Sequence, residues 1–503
     1  MRKILVIRLS SLGDVVLTLP VFGALRQAYP DAWIAGMTKE AYAAVWTGCP
    51  DLNQTLVFRP GEPLASAVRR VRSEHFETVI DLHGNFRARV ISLLSGASQR
   101  VRYRKAALAR RLFVRFRRRS EELERHTLDR YLDALKRLTL KSGAFQAAPA
   151  ASPARSVLVI QTAFLGDAVL TLPLVAALHD HFPSAAITVL CTPEVSEVFR
   201  NQPGISEIML FDKRGGGRGL VSQWRLIRTL AQKKIDVAVV PHRSLTSALM
   251  ARWAGIPRRI GFSTSQGRWF MTDIVPFQWG VHDVDRNMGL MKPLGAGPRS
   301  PQLRLDPEPA EVAQVARRLA SEGVSEGQML VGIHAGSVWA TKRWLPERFA
   351  AVADRIVSET GARPIFVGGS KDRTEIEGII QRMTGPAINW AGQTNLSELI
   401  AVVARCGAFL TNDSGPMHVA VACGIPTVAI FGPTTRELGF FPYGEGHRVI
   451  EKPLPCRPCG LHGARACPLG HFECMKSITL EEVWAALKPL IEANRQAQRM
   501  AAQ

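Results

Sequence analysis

The sequence predicts an α/β protein: two Rossmann-like, doubly wound domains facing a cleft, preceded by an additional Rossmann-like domain. Two observations carry this reading. Short apolar runs such as Val157–Ile160 and Leu330–Ile333 pass into tight turns and then into helical spacing, as expected of parallel strands that crossover helices bury on both faces. The second is an internal repeat, in which Lys3–Pro20 matches Ser156–Pro173 at a constant offset of 153 residues. Leu12-Gly13-Asp14 falls on Leu165-Gly166-Asp167, and Thr18-Leu19-Pro20 on Thr171-Leu172-Pro173. Farther on, Leu94-Ser95-Gly96-Ala97 echoes Trp253-Ala254-Gly255-Ile256, and the segment from His126 to Arg130 echoes that from His282 to Arg286. Matches in one order mark duplication of a whole domain rather than a solenoid.

The first copy occupies residues 1–140. Residues 141–155, rich in Ala, Pro and Ser, have the composition of a linker. The second copy covers 156–295: Val157–Ile160 is its first strand, and helical spacing runs from Ala168 toward His181. A break at Pro293–Pro301 precedes the last domain, 302–503. There strands are expected at Leu330–Ile333, Pro364–Val367, Ala408–Leu410 and Thr427–Phe431, and helices at Pro346–Glu359, Asp372–Met383, Leu396–Cys406, Pro416–Cys423 and Leu480–Ala493. That alternation predicts a parallel sheet.

Net charge is +21 over 503 residues, and residues 1–150 hold 26 Lys and Arg against 13 Asp and Glu. Arg100–Arg119 contains ten basic residues and no acid. Such a stretch suits an anionic membrane surface, a phosphorylated glycolipid or nucleic acid. Leu108, Leu112, Phe113 and Phe116 share one helical face there, which favours an interfacial helix, with a solvated basic helix as the alternative. No nucleic-acid recognition motif accompanies the charge. Asp14 interrupts the apolar start, so a signal peptide is not expected, and Gly424 and Pro426 break the apolar window Val419–Phe431. A cytoplasmic chain is the expectation.

Candidate chemistry gathers at strand ends, where open α/β sheets build their sites. Asp167 follows the first strand of the second copy, where a site would form, and is otherwise a helix cap. In the last domain, Asn412-Asp413-Ser414-Gly415 opens a helix whose first N–H groups suit a phosphate, with His418 one turn on. Gly336–Trp344 supplies Lys342 and Arg343, a point charge and a fork for a diphosphate; Trp344 either stacks on a ligand or packs. Phe431–Thr435 adds a third loop, containing Thr434, and Asp372 follows Gly368-Gly369. Three loops on one sheet edge point to a nucleotide diphosphate.

Residues 156–497 resemble the bacterial heptosyltransferases of lipopolysaccharide core synthesis, inverting glycosyltransferases of the GT-B fold, and most of all the second-heptose enzymes. The resemblance rests on Gln161–Asp167, Pro241–Ser244, Ile256–Phe262, Thr341–Trp344, Asn412–Gly415 with His418, and Phe431–Thr434. It implies transfer of L-glycero-D-manno-heptose from its ADP-activated form to the inner core of a lipid A precursor at the inner face of the cytoplasmic membrane. Asp167 would then be the general base, Lys342 and the Ser414-Gly415 helix start would hold the diphosphate, and Asp413 and Asp372 would address sugar or ribose hydroxyls. His242 and Arg243, at the end of the strand Asp236–Val240, would face the cleft toward an acceptor phosphate or carboxylate, or else form a structural turn. Residues 1–140 resemble only the acceptor-side half of such an enzyme. A related transferase using another nucleotide sugar and a non-catalytic glycolipid-binding scaffold are the competing readings.

No cofactor is required by this reading. Cys456, Cys459, Cys467 and Cys474 lie within 19 residues, and four thiols can complete a zinc tetrahedron, although the spacing is not that of paired knuckles. Cys49, Cys191, Cys406 and Cys423 read as small core residues.

Overall fold

A computed structural model of the chain describes residues 2–47, 49–103, 131, 134, 154–213, 220–296, 302–325 and 327–501. The chain divides into two compact units, residues 1–147 and 148–503. Three parallel sheets form the architecture, one in the first unit and two in the second. The first sheet contains β1 (Lys3–Ile7), β2 (Trp33–Lys39), β3 (Gln54–Phe58), β4 (Thr78–Asp81) and β5 (Gln99–Arg102), in the order β3-β2-β1-β4-β5. Arg100 and Arg102 thus lie on an edge strand, and the rest of the basic stretch lies outside the described residues.

The second unit holds β6 (Ser156–Gln161), β7 (Ala186–Cys191), β8 (Ile205–Leu210), β9 (Val237–Val240), β10 (Arg258–Phe262) and β11 (Asp273–Val275), in the order β11-β10-β9-β6-β7-β8. Its other sheet is β12 (Leu330–His334), β13 (Arg363–Phe366), β14 (Ile388–Asn389), β15 (Ala408–Asn412), β16 (Thr427–Phe431) and β17 (Arg448–Glu451), in the order β14-β13-β12-β15-β16-β17. Every strand of β6, β9, β12, β15 and β16 beyond its first residue or two is buried, which is why these read as uninterrupted apolar runs. Strand order reverses between β6 and β9 and again between β12 and β15. Those switch points leave crevices at the carboxyl ends of the strands.

The helix expected from Ala168 to His181 is two helices, Leu165–Val169 and Leu172–His181. Pro173 lacks an N–H, and its ring would meet the carbonyl four residues back, so it starts a helix and cannot continue one. The Thr171 hydroxyl donates instead to the Asp167 carbonyl at 2.7 Å. The first copy breaks alike before Pro20, with the Thr18 hydroxyl donating to the Val15 carbonyl at 2.6 Å.

The two sheets of the second unit share packed side chains. Leu158's neighbours Val157 and Val159, together with Val175, Leu178, Val367, Val402, Val419 and Phe409, belong to one buried apolar cluster. Among the described residues no helix is long and apolar enough to cross a membrane.

Candidate active site

The two switch points of the second unit carry nearly all the polar groups singled out in the sequence. Asp167 lies in the first turn of the helix Leu165–Val169, and its Oδ2 accepts the Phe164 N–H at 3.2 Å. It therefore caps its own helix. Burial raises its proton affinity above the usual carboxylate range, against the Phe164 N–H and the charges of Arg243 and Arg286. His242 Nε2 is within hydrogen-bond distance of the Thr162 and Ser247 hydroxyls, at 3.1 and 3.0 Å. Burial lowers His242 to about 3, with the Lys213 charge adding to the effect, so the ring is neutral. Arg243 is exposed and lies over the Phe277 ring, 5.6 Å from its centroid.

Across from Asp167, the helix Gly415–Ala422 packs directly on the helix Leu165–Val169. A Cβ on Gly166 would come within 2.7 Å of His418 Cδ2, and one on Gly415 within 3.1 Å of Leu165 Cβ. Gly166 has no room for a side chain in this approach, and Gly415 leaves little. His418 is buried, and burial lowers it to about 3, so it too is neutral.

At the β12–β15 switch point Lys342 Nζ donates to Asp413 Oδ2 at 2.6 Å, and the Thr434 hydroxyl donates to the same oxygen at 2.6 Å. Three predicted residues from three loops thus meet at one atom. Ser414 Oγ lies 3.0 Å from His334 Nδ1, while His334 Nε2 lies 3.8 Å from Asp372 Oδ2. Asp372 also accepts the Gly369 N–H at 2.9 Å. Burial would raise Asp372, but His334, the Gly369 N–H and the Arg343 charge outweigh it and hold the carboxyl below the usual range. Arg343 makes an ion pair of 2.5 Å with Glu375 and donates twice to the Ser337 carbonyl, at 2.9 and 2.7 Å. Its fork is engaged in shaping the loop. Trp344 packs in the core at 1% exposure, with its indole N–H on the Ile478 carbonyl.

Among the described residues no group of three or more Cys, His, Asp or Glu is placed to hold a metal, the four cysteines of the cysteine-rich segment included; Cys474 is buried and Cys459 exposed. The segment braces the loops that follow β12 and β16. Arg457 donates to the carbonyls of Phe431, Gly432 and Thr434 and pairs with Glu451. Ala464 exchanges hydrogen bonds with Thr341, and His462 stacks beside Trp339.

Sequence reasoning missed Asp283, Arg286 and His334 as parts of the site. The segment from His282 to Arg286 served only as a marker of duplication, and nothing in its pattern reports which charges it faces.

Residues 223–467 match the model of glycosyltransferase family 9 (heptosyltransferase). The lipopolysaccharide heptosyltransferase 2 of Salmonella typhimurium is 28% identical over 294 residues, which are 56% of this chain and 84% of that protein. The lipooligosaccharide heptosyltransferase 2 of Campylobacter jejuni serotype O:6 is 33% identical over 171 residues, 33% of this chain and 53% of that one. Among solved structures, a family 9 glycosyl transferase from Veillonella parvula is 26% identical, with a TM-score of 0.62 over 67% of this chain and 98% of its own. The E. coli ADP-heptose LPS heptosyltransferase II is 24% identical, with a TM-score of 0.56 over 67% and 99%, a likeness of fold.

Proposed function

We propose that this chain, a glycosyltransferase whose residues 223–467 match the family 9 model, transfers heptose from ADP-L-glycero-D-manno-heptose to the inner core of lipopolysaccharide with inversion at the anomeric carbon. The supporting observation is the approach of the Asp167 helix to the Gly415–Ala422 helix, which brings a carboxylate of raised proton affinity to the mouth of the donor-side loops.

In this reading Asp167 takes the proton from an acceptor hydroxyl as its oxygen attacks the anomeric carbon. An alcohol is a poor nucleophile, so a positioned base matters, and a base with raised proton affinity is better matched to neutral pH. The bond to the diphosphate breaks on the opposite face, and ADP leaves with its charge offset by Lys342 and the N–H groups at the Ser414-Gly415 helix start. Asp413, released from Lys342, and Asp372 address sugar or ribose hydroxyls, and Thr434 supports Asp413. Neutral His418 packs behind the base. His242 orders the Thr162 turn, and Arg243 faces acceptor phosphate or carboxylate. The acceptor places the reaction at the inner face of the cytoplasmic membrane, and the charge of Arg100–Arg119 supports a peripheral hold there.

The amino-terminal unit is read as a non-catalytic acceptor-type domain, a reading supported by the ion pair that Asp14 makes with Arg8. The test is ADP release from ADP-heptose in the presence of a defined core acceptor. Loss of turnover is expected in a folded Asp167→Asn variant, and near-normal turnover in that variant would refute the assignment of the base.

A further inference from the structure

The helix Asp283–Met288 joins the two sides of the site through three side chains. Asn287 Nδ2 donates to the Leu170 carbonyl and to Asp283 Oδ2, each at 3.3 Å, and Leu170 is the residue that closes the Asp167 helix. Asp283 Oδ1 lies 3.5 Å from Arg286 Nε. Arg286 in turn donates through Nη2 to the Leu438 carbonyl at 2.6 Å, and the Asp283 N–H donates to the Gly439 carbonyl at 2.9 Å. A continuous run of contacts therefore leads from the base helix to the loop Arg436–Tyr443 of the donor side. The Asp283 side chain is only 14% exposed, and the reaction as described above gives it no work.

We propose that Asp283 is a positioning residue for Asp167: a second carboxylate whose charge acts on the base, and whose hold on Arg286 and Asn287 fixes the base helix against the donor-side loop. This rests on the reading of Asp167 as the base.

The charged groups that face Asp283 are Asp167 from the base helix, Arg243 from the loop after β9, and Arg286 from its own helix. Burial, followed by the Asp167 charge, pushes Asp283 up to about 7, with Arg286, Asn287 and Arg243 opposing. Two carboxylates that share a buried site each make the other hold its proton more tightly. His282, beside them, is lowered to about 4 by burial and stays neutral. The duplicated unit offers an internal comparison. Where the second copy has His282-Asp283, the first has His126-Thr127. The copy whose aspartate pairs with an arginine thus also lacks the second carboxylate.

The experiment is a pH profile of kcat/KM for the full chain with ADP-heptose and a core acceptor, beside a thermal melt of each variant. Asp283→Asn is expected to move the acid limb about one unit toward lower pH and to slow the plateau about tenfold, as for a weaker base. Asp283→Glu is expected to return the limb toward the wild-type position. Should Asp283→Asn fail to fold, Asp283→Thr supplies the uncharged variant. A folded, uncharged variant with an unmoved limb, alongside an inactive Asp167→Asn, overturns the proposal while leaving the base in place. An active Asp167→Asn overturns the underlying reading as well.

Discussion

Arg8 Nη2 and Asp14 Oδ2 form an ion pair of 2.5 Å in the amino-terminal unit, where the second copy has Gln161 and Asp167 at the matching positions. Burial alone would raise Asp14, but Arg8 and the hydroxyl and N–H of Ser11 outweigh it and hold the carboxyl below its usual range. Gln161 offers no charge: it donates to the Asp167 carbonyl at 3.3 Å and to the Thr171 hydroxyl at 2.8 Å. Deeper burial of Asp167, together with Gln161 and Phe164 in place of Arg8 and Ser11, thus separates a carboxylate of raised proton affinity from a stabilised one.

Asp14→Asn should leave transfer within about twofold of wild type, since a carboxylate of lowered proton affinity is a poor base. It should cost the amino-terminal unit about 1–2 kcal/mol, a figure reduced for Asp14's partial exposure, because Arg8 loses its partner. The pair's stabilisation is present above the ordinary carboxylate range and is lost as pH falls through the lowered value of Asp14. Calorimetry of wild type and variant at neutral and acid pH checks this; abolished turnover in Asp14→Asn would contradict it.

If Asp167 is the base, activity should have an acid limb shifted above the usual carboxylate range, because burial makes Asp167 hold its proton more tightly in the folded chain. Asp283 is pushed up to about 7, so through this group the folded state binds more protons than the unfolded chain between about pH 4 and pH 7, and its contribution to stability falls as pH rises across that window. Rates measured from acid to mildly basic pH check the first statement, and a flat profile would count against it.

Lys342→Met should raise the donor KM about tenfold to a hundredfold, the range expected for losing one charge-assisted hydrogen bond to a phosphate. Asp413 would retain only Thr434 of its two partners at Oδ2. Titration with ADP reads the same loss without chemistry. Unchanged ADP affinity would remove Lys342 from the diphosphate site.

Gly166→Ala places a methyl 2.7 Å from His418 Cδ2. Overpacking of this kind costs about 1–3 kcal/mol, and it pushes the base helix away from the donor side, so kcat should drop along with stability. Shortening the opposing ring in a Gly166→Ala, His418→Ala double variant should recover part of the stability loss relative to the sum of the single changes. Strict additivity in the melting data would show that the two residues do not press on each other.

The sheets were legible because burial on both faces leaves little room for polar residues. Thr427–Phe431 matches β16 residue for residue, and Leu330–Ile333 falls one residue short of β12. Meetings at a distance were less legible. Arg343 reads as a free fork until Glu375, 32 residues away, is brought to it. Lys342, Asp413 and Thr434 each follow a different strand, and only the sheet order places them on one oxygen atom. The four cysteines allow a zinc tetrahedron by number, whereas Arg457, within the same segment, makes the contacts that hold it to the loops. Asp283 was invisible for a further reason: its raised proton affinity comes from burial and then from a neighbouring charge, and sequence pattern carries no record of which charges become neighbours.

The Lys342–Asp413 pair has a thermodynamic consequence. Its cation is already neutralised from within, at 13% side-chain exposure, so it gathers few mobile counterions. In the proposed reading, a diphosphate takes the place of Asp413 on this lysine and releases little condensed salt at this position. The affinity of the site should respond to ionic strength less steeply than that of an open lysine of the same charge.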